Sequence, residues 1–153
     1  MENSGIKIEQ LVEFSAEDTK DVRDLAAKLG SSFKSLSDED MQEMLKSPNT
    51  FILVARLAGS NKIVGMITAS VYRIPYLKKA YLDDFVVDET YRGQGIGSQL
   101  FRRAVELAKE KRAAYVDFTS SPKRIESNKL YEKLGFKKRE TNVYRLDFDY
   151  GEI

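Results

Sequence analysis

The stretch DDFVVDETYRGQGIGSQL, residues 83–100, decides how this chain is read. Phe85-Val86-Val87 ends an apolar strand, and Asp88 to Tyr91 makes a short polar loop. Arg92-Gly93-Gln94-Gly95-Ile96-Gly97-Ser98 then runs into a helix that begins inside it. Three glycines within five residues remove side chains where that helix starts, so backbone N–H groups can close on a ligand. The first turn of a helix has unpaired donors and the positive dipole end, which suits a phosphate, and Arg92 can add charge-assisted hydrogen bonds. The loop lacks the Gly-Lys-Ser/Thr of a Walker motif, and its G-x-G-x-G spacing is not the G-x-G-x-x-G of a dinucleotide fold. Taken alone, the glycines also fit a tight strand-to-helix turn.

Outward from this loop, the apolar periodicity predicts the elements. Downstream, Ile96, Leu100, Ala104, Leu107 and Ala108 form one face of a helix over 96–111, followed by a strand over 114–118. A helix from about Lys123 to Leu134 follows, then strands at Phe136 and over 143–148. Upstream, residues 81–87 are a strand carrying two adjacent acids, Asp83 and Asp84. The runs 51–57 and 63–72 around Gly59-Ser60-Asn61-Lys62 predict a β-hairpin. Strand-like alternation covers 6–14, and Ser15 and Ser37 open two helices, the first closing near Gly30 and the second before Pro48. The order β-α-α-β-β-β-α-β-α-β-β predicts an antiparallel start with a parallel pair after it, inside a mixed sheet.

Composition narrows the chemistry. The chain has 153 residues, 25 basic and 24 acidic, with no Cys, His or Trp. That length predicts a single domain, 1–153, with one proper core. Lacking Cys and His, the chain has no disulfide, no thiolate nucleophile, no imidazole base and no Cys- or His-ligated metal, and no metal site is expected. Acid–base work is left to Asp, Glu, Tyr, Lys, main chain or water. A net charge of +1 gives no global field toward nucleic acid or anionic lipid, and neither is an expected partner. Apolar runs fall far short of the ~20 residues of a membrane span, and a polar start without a signal core predicts a cytoplasmic address.

A second motif makes the first specific. The segment RIESNKLYEKLGF, residues 124–136, places Asn128, Leu130, Tyr131, Lys133, Gly135 and Phe136 about 30 residues after Arg92, Gly95 and Gly97. This pair, spanning roughly 81–136, resembles the GNAT superfamily of acyl-CoA-dependent N-acyltransferases, and the element order fits the family along the whole chain. The resemblance implies a single-domain α/β (α+β) fold with a mixed, mostly antiparallel sheet of about seven strands and about four helices. It implies a sheet splayed between the strands at 81–87 and 114–118.

It also implies a site. Acetyl-CoA would be the cosubstrate, its pyrophosphate on the amides of Arg92, Gly93, Gln94, Gly95, Ile96, Gly97 and Ser98. Its pantetheine arm would lie along Phe85, Val86 and Val87, as strand addition by a ligand with amides of its own. Arg124 and Asn128 would be further cofactor contacts. Tyr131 would be the general acid, and Asp83, ahead of Asp84, the base. Backbone N–H groups near Val86 and Val87 could polarise the carbonyl. Direct attack by a primary amine in a ternary complex needs no nucleophilic side chain, which accounts for the missing Cys and His.

Blander readings stand beside these. Tyr131 also fits a core position, Gly135 a helix cap, Phe136 a core anchor, and Lys137-Lys138-Arg139 a solvated face. Phe33 and its serine-rich loop fall where the family builds its acceptor pocket. The acceptor is expected to be a small molecule or peptide amine, and the protein a monomer or homodimer. The alternatives are a protein N-terminal or lysine acetyltransferase, or a non-catalytic acyl-CoA-binding module.

Overall fold

The computed structural model describes residues 5–30 and 35–150. Its elements are β1 (Ile6–Gln10), α1 (Ala16–Ala27), α2 (Asp38–Lys46), β2 (Thr50–Leu57), β3 (Ile63–Ile74), β4 (Leu77–Val87), α3 (Ile96–Glu110), β5 (Val116–Asp117) and α4 (Ile125–Lys133), with a 3-10 turn at Glu89–Tyr91. The strands form one sheet in the order β1-β2-β3-β4-β5. The first three pairings are antiparallel and β4–β5 is parallel.

The helix starts are made by local hydrogen bonding. Ser15 accepts from Asp18 N–H at the head of α1. Ser37 and Asp40 form a reciprocal capping box at the head of α2. Both faces of the sheet are covered, so β2 and β3 read as unbroken apolar runs. On one face Phe51, Leu53 and Ala55 join Leu100, Phe101, Ala104 and Tyr131. On the other, Ile52 and Val54 join Val22, Leu25 and Met41. Successive β2 residues thus alternate between the two layers.

The expected sheet of about seven strands is corrected to five among the described residues. Residues 136 and 143–148 are not strands, because nothing pairs with them. Val143, Tyr144, Leu146 and Phe148 all stand in solvent. The strand expected over 114–118 shrinks to Val116–Asp117. The alternation over 6–14 outlasts its pairing: β1 ends at Gln10, and Val12 and Phe14 are exposed. β4 is longer than expected, starting at Leu77. Between the strands expected to splay, β4 pairs with β5 only at Ala80–Val116 and Tyr81–Asp117.

Candidate active site

The site is built where the sheet opens. Beyond Tyr81 the outer side of β4 has no strand beside it among the described residues. There the β3–β4 register also breaks: Thr68 faces Asp83 and Met66 faces Val86, so Asp84 and Phe85 together stand opposite Ile67. This bulge holds Asp84 at φ 54°, in the left-handed region. A bulge re-aims side chains, so simple alternation no longer separates Asp83 from Asp84. Both line one small cavity of about 180 Å³, with Phe85, Phe101, Phe118, Thr119, Arg124 and Tyr131.

A larger cleft of about 1010 Å³ adjoins it. Phe85, Arg124 and Leu29 line both, so the two share a wall. The cleft is walled by Phe85, Val86 and Val87 on the strand side and by Arg92, Gly93, Gly95, Ile96, Gly97 and Ser98 on the helix side. Gly95 is the N-cap of α3 at φ 79°, with no side chain capping the first turn, so that turn's N–H groups are left for a ligand. Gly97 serves another purpose. A Cβ there would lie 2.9 Å from Phe85 Cζ, so its missing side chain lets α3 close on Phe85. Arg92 donates from Nε to the Val87 carbonyl at 3.2 Å, tying the loop to the end of β4. Lys28, Arg92, Lys123 and Arg124 outnumber Glu89 and Glu126 along the cleft, which favours an anionic ligand.

Two expected contacts do not line the cleft. Gln94 is absent from its wall, and Asn128 instead donates from Nδ2 to the Ser121 carbonyl at 3.0 Å, bracing the loop before α4. Phe33 lies outside the described residues. Tyr131 takes a core position at a cavity wall. It is only 7% exposed, packed 4.7 Å from Phe118 and 5.0 Å from Phe101 by ring centroids, yet it borders the small cavity. Asp83 opens to solvent but is crowded enough by protein that desolvation, followed by the nearby Asp84 charge, raises its carboxyl above the ordinary value. Lys28, Leu29 and Lys123 line the cleft without having been singled out in the sequence, whereas Leu130, also in its wall, belongs to the second motif. Only Lys123 had a signal there, as the neighbour of Arg124 in a short loop.

Three features fit acetyl-CoA: a helix start stripped of side chains, an excess of basic groups around it, and an open strand edge alongside. Among the described residues no group of three or more Asp or Glu is placed to hold a metal ion, and no helix is long and apolar enough to cross a membrane.

Comparison with known proteins agrees with this geometry. The chain is 33% identical over 96 residues to an N-acetylaspartate synthetase of Xenopus tropicalis, covering 63% of this chain and 34% of that protein. It is 39% identical over 67 residues to a glucosamine 6-phosphate N-acetyltransferase of Trypanosoma brucei brucei, covering 44% of this chain and 43% of that one. The chain therefore spans less than half the length of these curated relatives. A solved aminoglycoside acetyltransferase from an uncultured soil metagenomic sample, in complex with sisomicin, superposes with a TM-score of 0.82. That match has 25% identity and covers 95% of this chain and 97% of that one. Residues 18–136 match the acetyltransferase (GNAT) family, and the chain belongs to that family.

Proposed function

We propose that this protein moves an acetyl group from acetyl-CoA to a primary amine of a small soluble molecule, by direct attack in a ternary complex. The observation that carries this reading is that Asp83, Asp84 and Tyr131 border one small cavity that shares Leu29, Phe85 and Arg124 with the anion-fitting cleft. Acetyl-CoA supplies an acetyl group already activated as a thioester. The amides of the α3 first turn, with Arg92, Lys123 and Arg124, hold its phosphates. Phe85 to Val87 orient the pantetheine arm along the open side of β4.

The chain's own groups then handle protons. Asp83, with its raised carboxyl, takes the proton that the amine loses as it bonds to the carbonyl carbon. The Tyr131 hydroxyl gives a proton to the departing sulfur, so the products are an amide and a neutral thiol. Backbone N–H groups near Val86 and Val87 stabilise charge on the carbonyl oxygen. The named substrates of similar proteins, an amino sugar phosphate and aminoglycosides, support a small amine acceptor.

Acetyl-CoA at a hundredfold over its dissociation constant should stabilise the protein by about 2.7 kcal/mol, raising Tm by roughly 5–10 °C. Free thiol should then appear with one class in a panel of polyamines, amino acids, aminoglycosides and peptides. No melting shift at millimolar acetyl-CoA overturns the cofactor assignment. A shift without thiol release from any amine leaves a binding module instead, and release with peptides alone moves the acceptor to a protein.

A further inference from the structure

The β3–β4 hairpin, VYRIPYLKKA at residues 71–80, runs past the rest of the sheet. β2 pairs with β3 no further than Ser70, and β5 pairs with β4 no earlier than Ala80. Between those points the two strands have only each other as strand partners among the described residues. They project as a ribbon at the end of the sheet opposite the cleft. Its base is braced: Val71 N–H donates to the Asn49 carbonyl and Ala114 N–H to the Lys78 carbonyl, each at 2.8 Å. Leu77 at the tip is six residues from Asp83, about 20 Å along an extended strand.

The tip is apolar where a hairpin turn is ordinarily polar. Ile74 and Leu77 form the last pair, Pro75 and Tyr76 close the turn, and Tyr76 is 80% exposed. Cations stand directly behind it. Arg73 and Lys78 lie opposite each other across the two strands, and Lys79, one residue on, holds its Nζ 5.4 Å from the centre of the Tyr72 ring. Like charges directly opposite in a sheet destabilise it. No carboxylate offsets them here: none of the three is in an ion pair among the described residues, and no Asp or Glu occurs from Ile63 to Leu82. Arg112, exposed and two residues before Ala114, adds a fourth cation near the ribbon's base. A chain with 25 basic and 24 acidic residues thus keeps a local positive excess around an apolar point.

We propose that this hairpin docks the protein on an anionic lipid bilayer, with Tyr76 and its apolar neighbours in the interface and Arg73, Lys78 and Lys79 against the headgroups. The order of the residues selects this occupant. The apolar tip leads, and the cations follow one residue behind, about 3.3 Å along the strand. A bilayer is layered the same way, with negative headgroups over hydrocarbon, and tyrosine is favoured at the boundary. Against a nucleic acid, the apolar tip would hold the cations back from the phosphates. Against a second copy, the two sets of cations would repel, and one hairpin tip is far smaller than the roughly 1,200 Å² that a stable interface buries. A net charge near zero does not oppose this contact, because at physiological salt a charged surface acts only over about 8 Å. Docked this way, the cleft points away from the bilayer and its ligands arrive from water. That consequence rests on the proposed acetyl transfer; the docking itself does not.

Co-sedimentation with phosphatidylcholine vesicles containing about 30% phosphatidylserine, in about 0.1 M salt, should recover roughly tenfold more protein than phosphatidylcholine alone, and about 1 M salt should release it. The chain has no native Trp, so Tyr76→Trp supplies a single indole whose emission should shift to the blue on the anionic vesicles. Tyr76→Ser should weaken binding several-fold, and Arg73→Glu/Lys78→Glu should abolish it. All three side chains are exposed, so the circular dichroism spectrum should be unaltered in both variants. No recovery on anionic vesicles overturns the proposal. So does binding that survives both variants, or that coenzyme A displaces, since the cleft's own basic groups would then be the contact. Tighter capture of a single-stranded oligonucleotide, with no blue shift on vesicles, also overturns it. Every arm is read without turnover, so these outcomes stay separate from a failure of the acetyl-transfer reading.

Discussion

One carboxylate, Asp83, and one phenol, Tyr131, carry the proposed proton transfers, and each can be tested singly. Tyr131→Phe keeps the ring that packs on Phe101 and Phe118 and removes only the hydroxyl. Its kcat should fall about 100-fold, the usual size of one general-acid contribution, with KM for acetyl-CoA nearly unchanged in steady-state kinetics. Asp83 should show an opposite balance of stability and activity. Its folded pKa lies above the ordinary 3.8, so the native state holds that proton more tightly than the unfolded chain does. Stability from this group is therefore lost as pH rises through the folded value, and at neutral pH the ionised carboxylate is a cost. Asp83→Asn should lose turnover yet melt no lower than wild type above pH 6, as read by calorimetry. In wild type the acidic limb of kcat/KM should lie above the range of an ordinary aspartate, and the variant should lack it. The identity of these residues was legible in the sequence through the paired motifs. Their convergence was not, because it depends on the bulge at Asp84 and Phe85, which no alternation pattern contains.

At the scale of elements, the start of α3 separates two glycines that look alike in sequence. Gly95→Ala meets no atom within 4 Å but must hold φ 79°, a strain of about 1–2 kcal/mol for a residue with a Cβ. Gly97→Ala has ordinary backbone but pushes on Phe85, which lines both cavities. Calorimetry with acetyl-CoA titration should therefore show Gly95→Ala losing stability and Gly97→Ala losing several-fold in affinity. A second joint ties three elements at the far side of the sheet. Arg56 of β2, only 9% exposed, grips the Asp18 carboxylate of α1 with two bonds of 2.7 and 2.9 Å, bonds Glu9 of β1, and donates to the Asn61 carbonyl at 2.9 Å. Arg56→Ala leaves the Asp18 carboxylate without this partner and Glu9 with Lys7 at 3.1 Å, and should cost about 3 kcal/mol in urea unfolding. Arg56 also holds the Glu9 carboxyl below its ordinary 4.5, so that part of the stability is present at neutral pH and disappears as pH falls through the folded value. The sequence marked the helices and the hairpin well, since caps and periodicity are local. It did not mark this joint, because Glu9, Asp18 and Arg56 are far apart along the chain.

At the scale of the molecule, the first strands and both helix layers were legible because their apolar spacing is matched by burial on both faces of the sheet. The last segment was legible only in half. Its alternation over 143–148 is strand patterning, but a strand also needs a neighbour, and sequence pattern does not say which edge supplies it. The same distinction applies to the splay between β4 and β5. Half of an opened ladder is, on the proposed reading, completed by the acetyl donor lying along Phe85 to Val87. The sheet then has a replaceable strand that the reaction itself consumes and renews. Each turnover would briefly unzip the fold at this seam, so the protein's survival against proteases would track the supply of its own substrate.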